Sequence, residues 1–204
     1  MEIDIREEDI KDYRETEVLT REAFWDLYKP GCNEHLIVHK MRSIEGFIKK
    51  LDLVACEKNK IVGNIMYSKA KITNDENKEY VVLSLGPISV LPSEQKKGIG
   101  SKLIKESLTI AKNMGYTGIF LYGNPKYYSR FGFKNAAQYK ITTSTGENFD
   151  EFMCLELFKG SLNNINGKYY YDKVFETNKD ELDEYEKLFP YKQKHKLNTQ
   201  IFSE

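Results

Sequence analysis

The chain has 204 residues, of which 31 are basic and 31 acidic, with 40% hydrophobic and 13% aromatic residues. These values are typical of one large folded domain, or of a domain with a small addition, and they exclude a fibre, a disordered tail and a membrane protein. The zero formal charge also argues against a nucleic-acid groove or a membrane-surface protein, because both usually carry a large basic excess.

The cysteines and the first residues predict where the protein works. Cys32, Cys56 and Cys154 are widely spaced and form no CxxC pair or cysteine–histidine quartet. We therefore predict neither a disulfide framework nor a metal site. The acidic start MEIDIREEDI has no basic region followed by an apolar run, which favours a cytoplasmic protein.

The first half of the chain is predicted to form a strand, two helices and an antiparallel meander of three strands. Alternating residues indicate the strands, apolar residues at helical spacing indicate the helices, and Asp9 can cap the first helix. The predicted elements are a strand at 2–6, a helix from Asp9 towards Trp25, a helix at 34–50, and strands at 52–57, 61–72 and 80–91.

The second half is predicted to continue with one long helix and shorter elements. Apolar residues between Gly98 and Met114 repeat about every 3.6 residues, and Gly115 is placed to end this helix. The other predicted elements are a buried strand at 118–122, a compact aromatic segment at 124–133, a strand at 152–158, an acidic helical stretch at 180–187 and a basic one at 191–196.

The order of these elements predicts the fold class. Strands and helices do not alternate strictly, as a doubly wound sheet would require. We therefore predict an α/β fold of the α+β kind, with helices on both faces of a mixed sheet. Residues 1–158 are interpreted as the main domain, and the polar, tyrosine-rich residues 159–204 as an appendage packed on it.

A glycine-containing turn at the start of the long helix predicts an anion site. Within residues 83–105 a strand runs into a loop that closes with Gly98 and Gly100 at the first helical turn. Free N–H groups at such a helix start can bind a diphosphate, although a simple tight turn is the alternative. The order KKGIGSK does not match the phosphate-binding loop GxxxxGK[ST], and Leu103 stands where the dinucleotide-binding pattern GxGxxG has its last glycine. An ATP- or NAD-binding protein is therefore a disfavoured interpretation.

Pro87 provides a second indication of a ligand site. Proline cannot donate to a strand ladder, so its position inside the predicted strand 80–91 indicates a bulge or a place where neighbouring strands part. Parted strands would leave the backbone groups of Ile88 and Val90 facing a gap. An extended ligand that carries amides could fill this gap.

Two motifs resemble those of the GNAT superfamily of acyl-CoA N-acyltransferases. QKKGIG at 95–100 is similar to the signature [Q/R]xxGx[G/A], and it lies between a strand and an amphipathic helix. YYSRFGF at 127–133 is similar to the second element, a tyrosine four residues ahead of the glycine of a GF pair. The resemblance covers residues 1–158, and the tail with FPYKQKHK looks like that of a bacterial subgroup of largely unassigned substrate.

The resemblance implies a GNAT-like fold with splayed central parallel strands, here 80–91 and 118–122, between which acetyl-CoA would lie. Backbone groups in the first strand would pair with the pantetheine amides, and the glycine turn would hold the diphosphate. The implied cofactor-binding residues are Ile88, Ser89, Val90, Gln95, Lys96, Lys97, Gly98, Ile99, Gly100, Ser101 and Asn124. Lys102 is a further candidate for a phosphate contact, with a solvated lysine-rich loop as the alternative for the lysines.

The resemblance also implies the reaction. An N-acetyltransferase would move the acetyl group directly to a primary amine of a small molecule or peptide in a ternary complex. Tyr128 matches the family tyrosine thought to give a proton to the departing thiolate, and its neighbour Tyr127 is the second choice. A non-catalytic acyl-CoA sensor or interaction module is the alternative, because residues 81–91 lack the carboxylate that many relatives place there.

The general base is left open by the sequence. His35 and His39, at i and i+4, share one helix face and could bind a metal or act as a base, but packing histidines are the favoured reading. Cys32 is disfavoured as a nucleophile because direct transfer needs no acyl-enzyme.

The acceptor and the assembly are left open as well. Phe24, Trp25 and Tyr28 are interpreted as a core cluster, with the lining of an acceptor pocket as the alternative, and Arg130 as a structural residue within its turn. Monomer and homodimer remain equal expectations.

Overall fold

The computed structural model describes residues 2–200. Its helices are α1 (Tyr13–Phe24), α2 (Glu34–Met41), α3 (Ile99–Asn113), α4 (Pro125–Tyr128) and α5 (Lys179–Glu186). Its strands are β1 (Asp4–Glu7), β2 (Leu53–Glu57), β3 (Lys60–Thr73), β4 (Glu79–Val90), β5 (Gly118–Tyr122), β6 (Lys134–Asn135), β7 (Ile141–Thr143), β8 (Phe152–Glu156) and β9 (Gly167–Tyr170). No helix within these residues is both long and apolar enough to cross a membrane.

All the strands belong to one mixed sheet. The main order is β1-β2-β3-β4-β5-β8-β6, and β9 pairs with both β3 and β7. The pairs from β1 to β4 are antiparallel, whereas β4 and β5 are parallel. The predicted meander and the mixed α/β sheet are therefore confirmed.

Alternate residues of β2 show why helices cover both faces of the sheet. Leu53 and Ala55 pack in the core cluster that also contains residues of α3. Val54 and Cys56 point the other way and pack with Leu19 of α1. Because side chains alternate along a strand, a run in which every residue is apolar needs a helix on each side.

Strands β4 and β5 pair only along a short stretch and then part. Leu83–Ser84 pairs with Ile119–Phe120, and the ladder goes no further. Directly beyond, Gly86–Pro87 stands opposite the single residue Met66 of β3, which is a β-bulge. The break predicted from Pro87 is confirmed, and the bulge lies where the gap between the parallel strands begins.

The second predicted helix is shorter than the apolar spacing suggested. Helix α2 ends at Met41, and Gly46 and Phe47 instead lie against β3, where Gly46 accepts a hydrogen bond from Lys69 and Phe47 bridges Ser68. Ile48 is still buried, but in the α3 cluster rather than beside α2. The prediction for 42–50 was wrong because residues of two different packing clusters happened to share one helical period.

The basic stretch at 191–196 was also predicted wrongly as helical, since residues 190–197 have no regular structure. Pro190 disfavours a helix at this point, and the extended chain binds along the end of α1 instead. Lys192 pairs with Glu22 at 2.6 Å, and His195 Nδ1 lies 2.8 Å from Asp26.

The C-terminal segment is attached through a buried cluster of polar side chains. Glu186 of α5 accepts two hydrogen bonds from Arg21 of α1, the shorter at 2.8 Å, and lies 2.7 Å from His35 Nε2 of α2. Burial disfavours the Glu186 carboxylate, but the hydrogen bonds from His35 and Arg21 outweigh it and lower its pKa to about 2. The ring of Tyr185 stacks on His35 with centroids 5.4 Å apart.

Replacing Glu186 with Gln should lower the free energy of unfolding by about 3 kcal/mol, because the buried Arg21 then loses its closest charge partner and keeps only Glu22, 3.9 Å away. In the wild type this contribution is fully present above about pH 4.5 and is lost as the pH falls towards 2, since the folded-state pKa is depressed. The difference in the free energy of unfolding between the wild type and Glu186→Gln should therefore become smaller as the pH falls over that range. Urea unfolding between pH 2.5 and 7 measures it.

Glu184→Gln is the matched control, because its side chain lies on the same helix and is 73% exposed. We expect it to change stability by less than about 0.5 kcal/mol. A Glu186→Gln protein as stable as this control would contradict the role of the cluster.

Candidate active site

A cleft of about 960 Å³ passes through the sheet where β4 and β5 part. On one face its lining residues Ile88, Tyr127 and Tyr128 pack with the α3 core cluster. On the other face its lining residues Ile37 and Phe175 pack with the α2 cluster. The volume lies at the upper end of the range for small-molecule sites. Because the cleft is open to both faces of the sheet, its two ends are lined by different residues.

The start of α3 forms the polar end of the cleft. Gly98 has a φ of 87°, a left-handed conformation that only glycine adopts without strain. Lys102 N donates to Gly98 O at 3.0 Å, so the N–H groups of residues 99–101 precede the first helical hydrogen bond, and no side chain caps the helix. These N–H groups and the positive end of the helix dipole form a site for an anion.

Strand β4 presents its backbone to the gap. Leu91 N donates to Val62 O of β3 at 3.0 Å, and because antiparallel ladders alternate, Ser89 also faces β3. The polar groups of Ile88 and Val90 then point to the opposite side, where β5 has already parted. Gln95 Nε2 donates to Val90 O at 3.2 Å, so the glutamine side chain folds back over this edge.

The structure brings most of the predicted binding residues together around the cleft. Its lining includes Ile88, Val90, Gln95, Lys96, Gly98, Ile99, Gly100, Ser101 and Asn124. Ser89 and Lys97 are not among the lining residues. Ser89 is buried with its Oγ 3.0 Å from Thr20 Oγ1 of α1, and Lys97 forms an ion pair with Glu94 at 2.8 Å.

Tyr127 and Tyr128 lie side by side at the cleft, with ring centroids 5.0 Å apart. Burial, and after it the neighbouring Tyr127 and Tyr28, raise the pKa of Tyr128, so its phenol stays protonated at neutral pH. The Tyr127 hydroxyl lies close above Gly100, where an added Cβ would be 2.8 Å away. The Tyr127 hydroxyl therefore lies at the anion end of the cleft.

Two further side chains complete this face. Asn124 caps the short helix α4 by accepting from Lys126 N at 2.9 Å, and it also lines the cleft. Arg130 stacks over Tyr127 with 4.1 Å between the guanidinium carbon and the ring centroid. The expected packing role of Arg130 within its turn is thus seen, and its place in the cleft lining was not foreseen.

The opposite face of the cleft is aromatic. The ring centroids of Phe24 and Tyr28, at and just after the end of α1, are 6.1 Å apart. Those of Tyr171 and Phe175, in the C-terminal segment, are 5.8 Å apart. The interpretation of Phe24, Trp25 and Tyr28 as a core cluster was wrong, since Tyr28 is 41% exposed. Trp25 faces the C-terminal segment, where its Nε1 donates to Gln193 O.

The histidines and Cys32 lie outside the cleft lining. His35 is fully buried against Tyr185 and Glu186, and His39 contacts Glu17 at 2.9 Å. Cys32 lies 3.5 Å from His35 Nδ1, but burial raises the pKa of its thiol, which disfavours a nucleophilic thiolate. Within residues 2–200, no three histidine, cysteine or acidic side chains cluster as metal ligands.

Comparison with known proteins identifies the family. Residues 50–135 match the family model described as an acetyltransferase (GNAT) domain. A GNAT family acetyltransferase from Brucella melitensis, whose crystal structure contains acetyl-CoA, is 31% identical, with a TM-score of 0.70 over 86% of this chain and 99% of that protein. The chain belongs to the GNAT family of acetyltransferases.

Two comparisons with one Escherichia coli protein agree with this result. The uncharacterized N-acetyltransferase YhbS of strain K12 is 27% identical over 143 residues, which are 70% of this chain and 83% of that protein. The crystal structure of YhbS in complex with CoA shares the fold, with a TM-score of 0.76, 23% identity and coverage of 86% of this chain and 92% of that one.

Sequence reasoning on this acetyltransferase missed three residues of the aromatic face. Tyr171 and Phe175 come from a segment without a motif, and Glu34 stands in the first turn of α2 like any helix-start acid. Burial raises the pKa of Glu34, against the opposing effects of N–H groups of residues 33 and 34 and of Lys29. Only the tertiary placement of α2 beside the strand gap distinguishes this glutamate from the other acids.

Gly123 controls the position of the Tyr128 ring, which makes it a test of the geometry. A Cβ added at Gly123 would lie 2.4 Å from Tyr128 Cε2, so Gly123→Ala must displace the ring. We expect a loss of about 1–3 kcal/mol in the free energy of unfolding, measured in urea. In a Tyr128→Ala background the same substitution should cost little, because the clashing ring is absent.

Gly46→Ala is the matched control, because its added Cβ would meet no atom closer than 3.5 Å. It should leave the free energy of unfolding nearly unchanged. Equal losses for Gly123→Ala with and without the Tyr128 ring would show that the ring contact is not the cause.

Proposed function

We propose that this chain transfers the acetyl group of acetyl-CoA to a primary amine of a small molecule or peptide by direct attack in a ternary complex. The observation that carries the proposal is the cleft itself, which connects a helix-start anion site to a protonated tyrosine through a gap between parallel strands. The relatives support it, since the Brucella structure holds acetyl-CoA and the YhbS structure holds CoA.

The anion site fits the diphosphate of such a donor. The space beside Gly98 is open, with no atom within 4 Å of the position of an added Cβ. The helix dipole contributes only about 0.3–1 kcal/mol per charge, so the N–H groups of residues 99–101 and the Lys96 side chain would supply most of the attraction. Neither Ser89 nor Lys97 has a side chain placed to help.

The gap fits the extended, amide-bearing arm of the donor. Ile88 and Val90 would pair with its amides, as a neighbouring strand would. Because Gln95 donates to Val90 O, its side chain would have to turn away when an amide N–H of the ligand takes that carbonyl. Gln95 would then be free to contact the ligand itself.

Acetyl transfer requires a neutral amine, a polarised thioester carbonyl and a proton for the departing thiolate. The acyl donor supplies the thioester, and the chain supplies the proton source. Tyr128 is protonated at neutral pH and lines the cleft, so it would donate a hydrogen bond, and then a proton, to the sulfur. Tyr127 is less suited because its hydroxyl lies over Gly100 at the anion site.

Residues 1–158 are proposed as the acetyltransferase unit, and residues 159–200 as a segment that packs on it and completes the aromatic face. The last four residues of the appendage predicted at 159–204 lie outside the described residues. The relatives named above are bacterial proteins, and we extend the proposal to a bacterial, cytoplasmic enzyme. The alternative is a non-catalytic acyl-CoA sensor, which the absence of a carboxylate from residues 80–90 favours. A sensor would bind acetyl-CoA but release no CoA with any amine.

Acetyl-CoA should bind the isolated protein, as measured by titration calorimetry. Lys96→Gln removes the lysine that lines the cleft and should weaken binding about 3–10-fold, because one charge contact to the diphosphate is lost. Lys97→Gln is the matched control, since that side chain pairs with Glu94, and its effect should stay within twofold. No binding at several hundred micromolar acetyl-CoA would overturn the proposal.

Tyr128→Phe should lower kcat for acetyl transfer by about 10²–10⁴-fold, the usual contribution of a positioned proton donor. The affinity for acetyl-CoA should change little, because the ring stays in place. Tyr127→Phe, the neighbouring control, should mainly weaken acetyl-CoA binding. An unchanged kcat in Tyr128→Phe would remove Tyr128 from the reaction, and a selective loss of kcat in Tyr127→Phe would assign the role to its neighbour.

A further inference from the structure

We propose that Glu34 is the catalytic carboxylate that binds and deprotonates the acceptor, and that the acceptor is a monoamine carried on an apolar, aromatic-sized body. The inference rests on the proposed acetyl transfer, and it names the base and the substrate class that the sequence left open.

Two carboxylates line the described part of the cleft, and only one of them is placed for an amine. Glu94 belongs to the turn before α3 and forms an ion pair with Lys97, so it stands at the anion end with its charge already balanced. Glu34 belongs to α2, next to Tyr28 and Ile37 at the aromatic end. An ammonium group that approaches from this face meets Glu34 and no other lining acid.

The Glu34 carboxylate is held by the backbone and has no ion-pair partner in the part of the chain that the structure describes. Its Oε2 accepts a hydrogen bond from Asn33 N at 3.0 Å, which holds the side chain in one orientation. Among residues 2–200 no arginine, lysine or histidine forms an ion pair with it, whereas the buried acids Glu8, Glu17 and Glu186 all have such partners. A cationic substrate would supply the missing counter-charge.

Glu34 lines the same cleft as the proton donor. Tyr28 and Tyr128 are lining residues as well, and burial, followed by the charge of Glu34, raises the pKa of Tyr28. The glutamate and the two tyrosines therefore occupy one connected region of the cleft. A base and an acid placed on either side of the reacting carbon are what amine acylation needs.

The walls around Glu34 define the body of the amine. They are formed by Phe24, Tyr28, Ile37, Tyr171 and Phe175. Rings at these positions can hold an apolar group and also favour a cation near their faces. A polyamine would need several acidic side chains and an anionic acceptor would need a basic side chain, yet among residues 2–200 Glu34 is the single charged lining residue of this face.

The proposed steps balance in atoms and charge. The ammonium gives one proton to the Glu34 carboxylate, and the neutral nitrogen forms the C–N bond to the acyl carbon. The C–S bond breaks with its electron pair on sulfur, which takes a proton from Tyr128. The nitrogen then loses a second proton, which restores Tyr128, and Glu34 releases its proton to solvent.

Steady-state acetylation of 2-phenylethylamine, spermidine and alanine tests both parts of the inference. We expect 2-phenylethylamine to have a kcat/KM at least tenfold above the other two. Glu34→Gln should lower that kcat/KM at least 100-fold, through both a higher KM and a lower kcat, while the Kd for acetyl-CoA stays within twofold. Glu94→Gln, the other lining carboxylate, should retain the wild-type response to the amine.

The possible results distinguish a failure of the proposed acetyl transfer from a failure of the inference about Glu34 and the amine. Failure of the wild type to bind acetyl-CoA would overturn the proposed function and this inference with it. Normal acetyl-CoA binding combined with a preference for spermidine or alanine, or with no acetylation of 2-phenylethylamine, would overturn the substrate class. Glu34→Gln with wild-type kcat/KM would overturn its role. A circular dichroism spectrum and Tm equal to the wild type would show that this isosteric variant is folded, and Glu34→Asp should recover part of the lost activity.

Discussion

The separation of β4 from β5 is the constraint on which the rest of the site depends. A parallel pair normally continues its ladder, and here it stops at Ser84, just before Gly86–Pro87 bulge out of register with β3. Backbone N–H and C=O groups left beyond the bulge need other partners. The same backbone geometry therefore opens the cleft and makes its wall complementary to a ligand with amides.

The bulge is also tied to the helix that carries the glutamate. A Cβ added at Gly86 would lie 2.9 Å from the Met41 side chain at the end of α2, so glycine lets this helix pack directly over the gap. The start of the same helix then brings Glu34 to the cleft. The bulge at the strand gap is therefore in close contact with the helix that carries the carboxylate.

The basic and acidic residues of the chain are equal in number, but they are not evenly distributed in space. Arg42 is buried between Glu8 and Glu17, with distances of 2.8 and 2.7 Å, and these internal pairs account for several of the charges. What remains at the cleft is a positive helix start on one face and a lone acid on the other. The zero formal charge excludes a large polyanion surface, but it says nothing about such short-range asymmetry.

Local patterns in the sequence predicted the parts of the structure that local forces decide. The amphipathic period of α3, the strand-like run of β2 and the proline bulge were confirmed, because each follows from a few adjacent residues. Long-range packing decided the rest. The two-residue strand β6 and the short strands β7 and β9 have too little pattern to detect, and β9 forms because β3 is long enough to offer it an edge.

The site could be predicted where a motif specifies backbone shape, and not where distant segments meet. The glycine turn and Tyr128 lie in motifs with fixed spacing. Glu34, Tyr171 and Phe175 are functional candidates only because two distant segments converge on the same face. No periodic pattern in the sequence predicts that these segments meet.

The contact between Arg21 and Glu186 has a consequence for how the protein is made. Ribosomes add about 5–20 residues per second, so α1 leaves the ribosome on the order of ten seconds or more before its partner on α5 exists. During that interval Arg21 lacks the Glu186 carboxylate, and the aromatic end of α1 lacks Tyr171 and Phe175. A nascent chain can therefore complete the anion end of the cleft well before the aromatic end.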